Sequence, residues 1–253
     1  MESSNQIGTL IIIGSGLIIA LVLVLLFLSV FYQTYVLKMK RKEAELMLKT
    51  SLESEKNERQ RIAADIHDGV SGDLNAVRNF ISILLKTEQD VEKQEMFAEI
   101  KSGVEAALEN TRIVSYKLMP PLLEKEGFIV ALQDYFERLN SKNSAVFSLK
   151  SNNRYVDITN EVAYELFRVI QEFTTNMMKY GNVSDVNVHV MDEGQSLKIT
   201  IRDDGTPYNF KEMYQNSKGT GLKNINSRLK VIEANLIQNE ITDGNSFLIV
   251  IKK

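Results

Sequence analysis

Residues 58–85 read ERQRIAADIHDGVSGDLNAVRNFISILL. Within them Ile62, Ile66, Val70, Leu74, Val77, Ile81 and Leu84 recur at steps of three and four. On an α-helix such positions form one apolar stripe. A polar break follows at Thr87-Glu88-Gln89-Asp90. A second stripe then runs through Met96, Ile100, Val104, Ala107, Thr111, Val114 and Leu118. It ends at Pro120-Pro121, where proline cannot continue a helix. Two long amphipathic helices with a short connection form an antiparallel hairpin. One hairpin cannot cover both stripes, whereas two paired hairpins can. The patterning therefore predicts a homodimer built on a four-helix bundle.

Upstream of the hairpin the chain changes character. Residues 7–37 carry no charge, and residues 10–31 are almost wholly Ile, Leu, Val, Gly, Ala and Phe. About 20 apolar residues suffice to cross a bilayer. A cleaved signal peptide is the competing reading. Against it, residues 1–6 hold no Lys or Arg, and the apolar run exceeds a signal's central region. The basic cluster comes after the run, at Lys38, Lys40, Arg41 and Lys42. That bias predicts a single-pass anchor in the cytoplasmic membrane, with the later residues inside and no folded sensor before the span. Any stimulus would then arrive through the bilayer, a membrane partner or the cytoplasm. Residues 38–57 lack Gly and Pro and read as a polar helical linker with Leu46, Met47 and Leu52 as sparse apolar contacts.

Downstream, helices are expected at 127–139, 157–179 and 220–234, and strands at 145–149, 186–191, 197–201 and 247–251. A polar, glycine-bearing stretch fills 203–219. Mixed helices and strands over about 130 residues read as α+β, a sheet covered on one face by helices. The expected domains are 1–37 (span), 38–57 (linker), 58–120 (hairpin) and 121–253 (α+β unit).

Composition excludes several classes. The 253 residues hold 30 Lys+Arg against 33 Asp+Glu, so there is no basic excess for tracking a nucleic-acid backbone. No cysteine means no disulfide framework and no thiolate metal site, and two histidines make a His-based zinc site unlikely to be the centre of function. A hydrophobic fraction of 44% rules out a wholly disordered chain.

Four short constellations carry chemistry. His67-Asp68 sits on the flank of the first stripe, about 75° from its centre by helical spacing. A neutral imidazole is a nucleophile near neutral pH, and a carboxylate on one ring nitrogen leaves the other free. Adjacent residues of an α-helix do not face each other, so Asp68 would have to lean back. Glu172 and Asn176, four apart, present oxygens suited to Mg²⁺, with Lys179 placed to meet a phosphate. Asp203-Asp204-Gly205-Thr206-Pro207 follows a strand, and a carboxylate there can accept from an exocyclic amine. Lys218-Gly219-Thr220-Gly221-Leu222 opens a helix, where free backbone N–H groups suit phosphate. Each alone also fits an ordinary surface face, turn or loop.

In this order and spacing they resemble the sensor histidine kinases of bacterial two-component systems, in particular those with a His-Asp phosphoacceptor motif. The resemblance covers roughly residue 58 to the C-terminus, and Met119-Pro120-Pro121-Leu122-Leu123-Glu124 followed by Gly127 fits the segment joining hairpin to ATP-binding domain. It implies an α/β-sandwich ATP-binding domain, His67 as phosphoacceptor and Asp68 as its activating acid. It implies Glu172 and Asn176 at a Mg²⁺–ATP site, Lys179 at phosphate, Asp203 and Gly205 at adenine, and Gly219, Thr220, Gly221 and Leu222 in a phosphate-covering lid. A homodimer and a response regulator with a phosphorylatable aspartate are the implied partners. Three positions depart from the pattern. Pro207 replaces a glycine and stiffens its turn. Tyr180 stands where many relatives carry His. Gly72 stands five residues after His67, where the subfamily often has Gln. The rival readings are a kinase-like membrane scaffold without catalysis, or another ATPase or serine kinase of the same nucleotide-binding fold.

Overall fold

The structure is a computed structural model that describes residues 2–216 and 219–253; for 2–15 and 17–20 it describes the helical backbone alone. The chain divides into two compact units, Met1–Ser51 and Leu52–Lys253. Helix α1 runs Glu2–Asp65. In the first unit, the apolar side chains from Leu21 to Leu37, Val36 apart, are exposed on this helix, which is long and apolar enough to cross a membrane by length and composition. A signal sequence near an N-terminus has the same properties.

The second unit holds the hairpin and the sheet. A π turn, Ile66–Val70, leads into α2 (Ser71–Thr87), and α3 (Val91–Leu118) returns against it. Asp90 caps α3, accepting from the Glu92 N–H at 3.0 Å, the role a short acidic side chain fills at a helix start. The two helices and their break at 88–90 match the periodicity. Within the single chain the stripe is covered only in part. Ile62 and Ile66 point inward as expected. The π turn then takes up one extra residue, so the next inward positions are Ser71, Leu74, Arg78, Ile81 and Leu85. Val70, Val77 and Leu84, assigned to the same stripe by a constant α-helical step, are left exposed, as are Phe80, Met96 and Ile100.

Two short helices follow, α4 (Pro121–Lys125) and α5 (Phe128–Asn140). Helix α3 ends just before Pro120-Pro121, as expected, and Pro121 then starts α4, because at the first helical position its missing N–H costs nothing. The sheet has order β1-β2-β3-β5-β4, with β1 (Val146–Ser151), β2 (Asp185–Asp192), β3 (Ser196–Asp203), β4 (Asn235–Asn239) and β5 (Asn245–Lys252). Only the β1–β2 pair is parallel. Val186, Val188 and Val190 of β2 alternate inward with exposed residues between, and Leu197, Ile199 and Ile201 of β3 alternate with half-buried Lys198 and Thr200. Helices α6 (Asn160–Asn176) and α8 (Gly221–Val231) pack together, and α5 packs on β1. Phe173 of α6 meets Phe247 of β5 with ring centroids 5.0 Å apart. The α+β expectation holds. Strand β4 and helix α7 (Phe210–Asn216) were not expected from the sequence.

Candidate active site

The turn that carries His67 is the π turn itself. Its widened winding is closed by the Ser71 N–H, which donates to the Ile66 carbonyl. Gly69 within it and Gly72 just after it stand in open space, so neither is required by close packing. One turn earlier Arg61 bridges Glu58 at 2.6 Å and Asp65 at 3.0 Å. The imidazole is 75% exposed, and its Nδ1 lies 3.0 Å from Asp68 Oδ1. Neighbouring side chains in an α-helix point apart; the wider turn brings these two together. A proton on Nδ1 shared with Asp68 leaves Nε2 bare and facing solvent. π turns of this kind are often found at functional positions.

The other constellations converge elsewhere. Thr159 caps α6, its hydroxyl accepting from the Val162 N–H at 3.3 Å. The helix buries Leu166, Phe167, Ile170 and Phe173 and leaves Glu172 and Asn176 half-exposed on its polar face. Helix α8 begins against that face. A Cβ on Gly221 would meet Glu172 Oε1 and lie 3.3 Å from Asn176 Nδ2, the tips of side chains that would have to move aside, so the start of α8 closely approaches that pair. Thr220 starts α8, its carbonyl accepting from the Asn224 N–H at 2.8 Å, while Leu222 packs on the core. Gly219 and Thr220 are exposed, and Lys218 lies outside the described residues. Lys179 is exposed on a second π turn, Met177–Gly181, so its spacing from Asn176 is not the α-helical step assumed from the sequence.

Asp203 ends β3 and is buried. Its Oδ1 accepts from the Gly205 N–H and from Asn245 Nδ2, both at 2.9 Å. Its Oδ2 is buried with no partner among the described residues. Burial pushes this carboxyl above the usual carboxylate range, against the pull of those two donors. Gly205 sits so close to the Gly181 carbonyl that a Cβ would overlap it, and the Thr206 N–H donates to that carbonyl at 2.8 Å. The Asp203 turn therefore rests on the π turn that follows Asn176. Pro207 lies beyond these contacts, exposed. Asn245 and Gly244 belong to this site and were missed. Gly244 has φ +78 and a Cβ there would overlap the Asp203 carbonyl. A Gly-Asn pair before the last strand was the only sequence signal for them.

Thus Glu172, Asn176, Asp203, Gly205 and Gly221 form one locus from three chain segments, and His67 stands on a separate element. No group of three or more His, Cys, Asp or Glu among the described residues could hold a metal by itself.

Residues 58–123 match the family model HisKA_3, histidine kinase. Solved structures similar to this chain include the Erythrobacter litoralis EL346 blue-light activated histidine kinase, at 17% identity and TM-score 0.45, covering 66% of this chain and 64% of that one. The Acinetobacter baumannii histidine kinase AdeS is similar at 14% identity and TM-score 0.42, covering 80% of this chain and 96% of that one. The matched family segment is the hairpin, and it includes the exposed imidazole described above. Residues 58–123 of this chain thus carry a histidine kinase segment, and the chain spans about two thirds of the length of the blue-light activated kinase it resembles.

Proposed function

We propose that this protein is a membrane-anchored, homodimeric sensor kinase that takes the γ-phosphoryl group of ATP onto His67 and passes it to an aspartate of a response regulator. The observation that carries this reading is the His67–Asp68 pair, exposed on the π turn with Nδ1 beside the Asp68 carboxylate and Nε2 left for attack. Nε2 attacks the γ-phosphorus in line, the bond to the ADP oxygen breaks, and the Nδ1 proton stays shared with Asp68. The orphaned Asp203 Oδ2 fits an adenine amine, and the start of α8 at Gly221 fits phosphate oxygens. Glu172 and Asn176 would hold Mg²⁺, which neutralises phosphate charge and leaves most of its coordination to water and nucleotide. The test is incubation of the full chain with γ-labelled ATP, then with candidate regulators. Acid-labile, base-stable label that moves to a regulator supports the reading; a label stable to acid points to a hydroxyl acceptor instead.

The exposed Val70 at the end of the π turn and Val77, Phe80 and Leu84 on α2, with Met96 and Ile100 on α3, are an apolar surface suited to a second hairpin. Phe80→Glu should weaken dimerisation about tenfold to a hundredfold while preserving helicity, since a central aromatic is typical of interface hot spots. Sedimentation of the full chain in detergent checks this. An unchanged dimer would place the interface elsewhere.

Gly72 follows the His67 turn on α2, with open space where a side chain would project. A glutamine there could orient water toward a partner's phosphoaspartate, and glycine has nothing to do so. The protein should therefore show little phosphatase activity, and Gly72→Gln should raise regulator dephosphorylation with His67 labelling retained. The measurement is decay of labelled regulator; rapid decay with Gly72 in place would sink the idea.

A further inference from the structure

We infer that Glu55 and Arg228 form a releasable latch that holds the α6–α8 pair against helix α1 and away from His67. The inference rests on the reading of His67 as acceptor. Arg228 of α8 donates from Nη2 to Glu55 at 2.6 Å and from Nη1 to Glu165 of α6 at 2.7 Å. Arg228 and Glu165 side chains are 6% and 5% exposed, and Glu55 is 34% exposed. Glu55 also accepts from Arg59 Nε at 2.7 Å.

That sharing distinguishes a latch from a structural bridge. Opening a buried ion pair is ordinarily costly because it strands an unpaired charge. Here both sides keep a partner: Arg228 stays with Glu165, and Glu55 stays with Arg59. The separation runs between α1 and α8, so no charge is left alone on either side. The neighbouring contact is equally soft, with Lys56 Nζ 5.3 Å from the centre of the Tyr164 ring on α6. Farther along, Arg168 of α6 donates to the Lys117 carbonyl at 3.1 Å, beside the connection that keeps the domain tethered to the hairpin.

The latch grips the two helices that frame the candidate nucleotide site. Arg228 lies two turns past Gly221 on α8, and Glu165 lies two turns before Glu172 on α6. Glu55 precedes His67 by twelve residues, about 18 Å along a helix. The His67 turn packs on α2 and α3, and its ring is left in solvent. Transfer needs reacting atoms about 3–3.5 Å apart, so transfer to the His67 of the same chain requires α6 and α8 to leave this position, and Glu55–Arg228 is the ion pair that breaks. The latched form is the idle one. Movement of the linker ahead of Glu55 can open it.

The experiment uses the full chain in detergent, as wild type, Glu55→Gln, Glu55→Lys and the exposed control Glu53→Gln. The initial rate of His67 labelling should rise about fivefold in Glu55→Gln, the weight of one partly exposed ion pair, and further in Glu55→Lys, with ATP affinity unchanged. Amide exchange in residues 52–63 and in α8 should quicken in parallel. Equal labelling rates and equal exchange in wild type and both Glu55 variants remove the latch and leave His67 as acceptor. A lower labelling rate with quickened exchange also overturns it, because the contact would then assist transfer. No His67 label in any of the proteins removes the acceptor reading and the latch's role with it.

Discussion

His67→Gln should take up no phosphate from γ-labelled ATP while folding and dimerising as the wild type does. The ring is 75% exposed, and exposed substitutions usually change stability by about 0.5 kcal/mol or less. Glutamine can still hydrogen-bond to Asp68, so the π turn keeps its local partner. What it lacks is a second ring nitrogen with a free lone pair. The loss should therefore be complete rather than graded. His189 supplies the internal control. It lies on the solvent side of β2, opposite Lys150 and Thr200 in the sheet. His189→Gln should label at the wild-type rate. Because the chain has two histidines, these two variants decide the acceptor; label surviving in His67→Gln and lost in His189→Gln would overturn the assignment.

Asp203→Asn should weaken ATP binding by about 1–3 kcal/mol, or roughly tenfold to a hundredfold. Its Oδ1 is fixed by two donors, the Gly205 N–H and Asn245 Nδ2. An asparagine must keep its carbonyl oxygen there, since turning the amide would set donor against donor. The NH₂ then takes the position of the orphaned Oδ2. An adenine amine arriving at that point meets a donor where it needs an acceptor. The turn itself should survive, because the change is isosteric and its two internal bonds persist. Calorimetric titration with a non-hydrolysable ATP analogue measures the effect. Unchanged affinity with an intact fold would show that Asp203 only shapes the turn.

The residues alone carried the hairpin and the α+β class, and they named the candidate site residues. Apolar periodicity reports which positions a single element can bury, and the short spacings of His67-Asp68, Glu172/Asn176 and Gly219/Gly221 are set along one stretch of chain. Helix α6 illustrates this: its apolar face and its polar pair at 172 and 176 appear where the period places them.

The assembled molecule decided the rest. Within one chain the π turn at Ile66–Val70 leaves Val70, Val77 and Leu84 exposed and brings Ser71, Arg78 and Leu85 inward, a division of the stripe that a constant 100° step does not show. The same turn lets Asp68 reach His67, a contact that α-helical spacing disfavours. The second π turn likewise changed the place of Lys179. Asn245, Gly244 and the partners of Arg228 lie 37 to 173 residues from what they touch. No local pattern encodes such pairs, because their energy appears only when distant segments pack, exclude water and must satisfy one another's charges and hydrogen bonds.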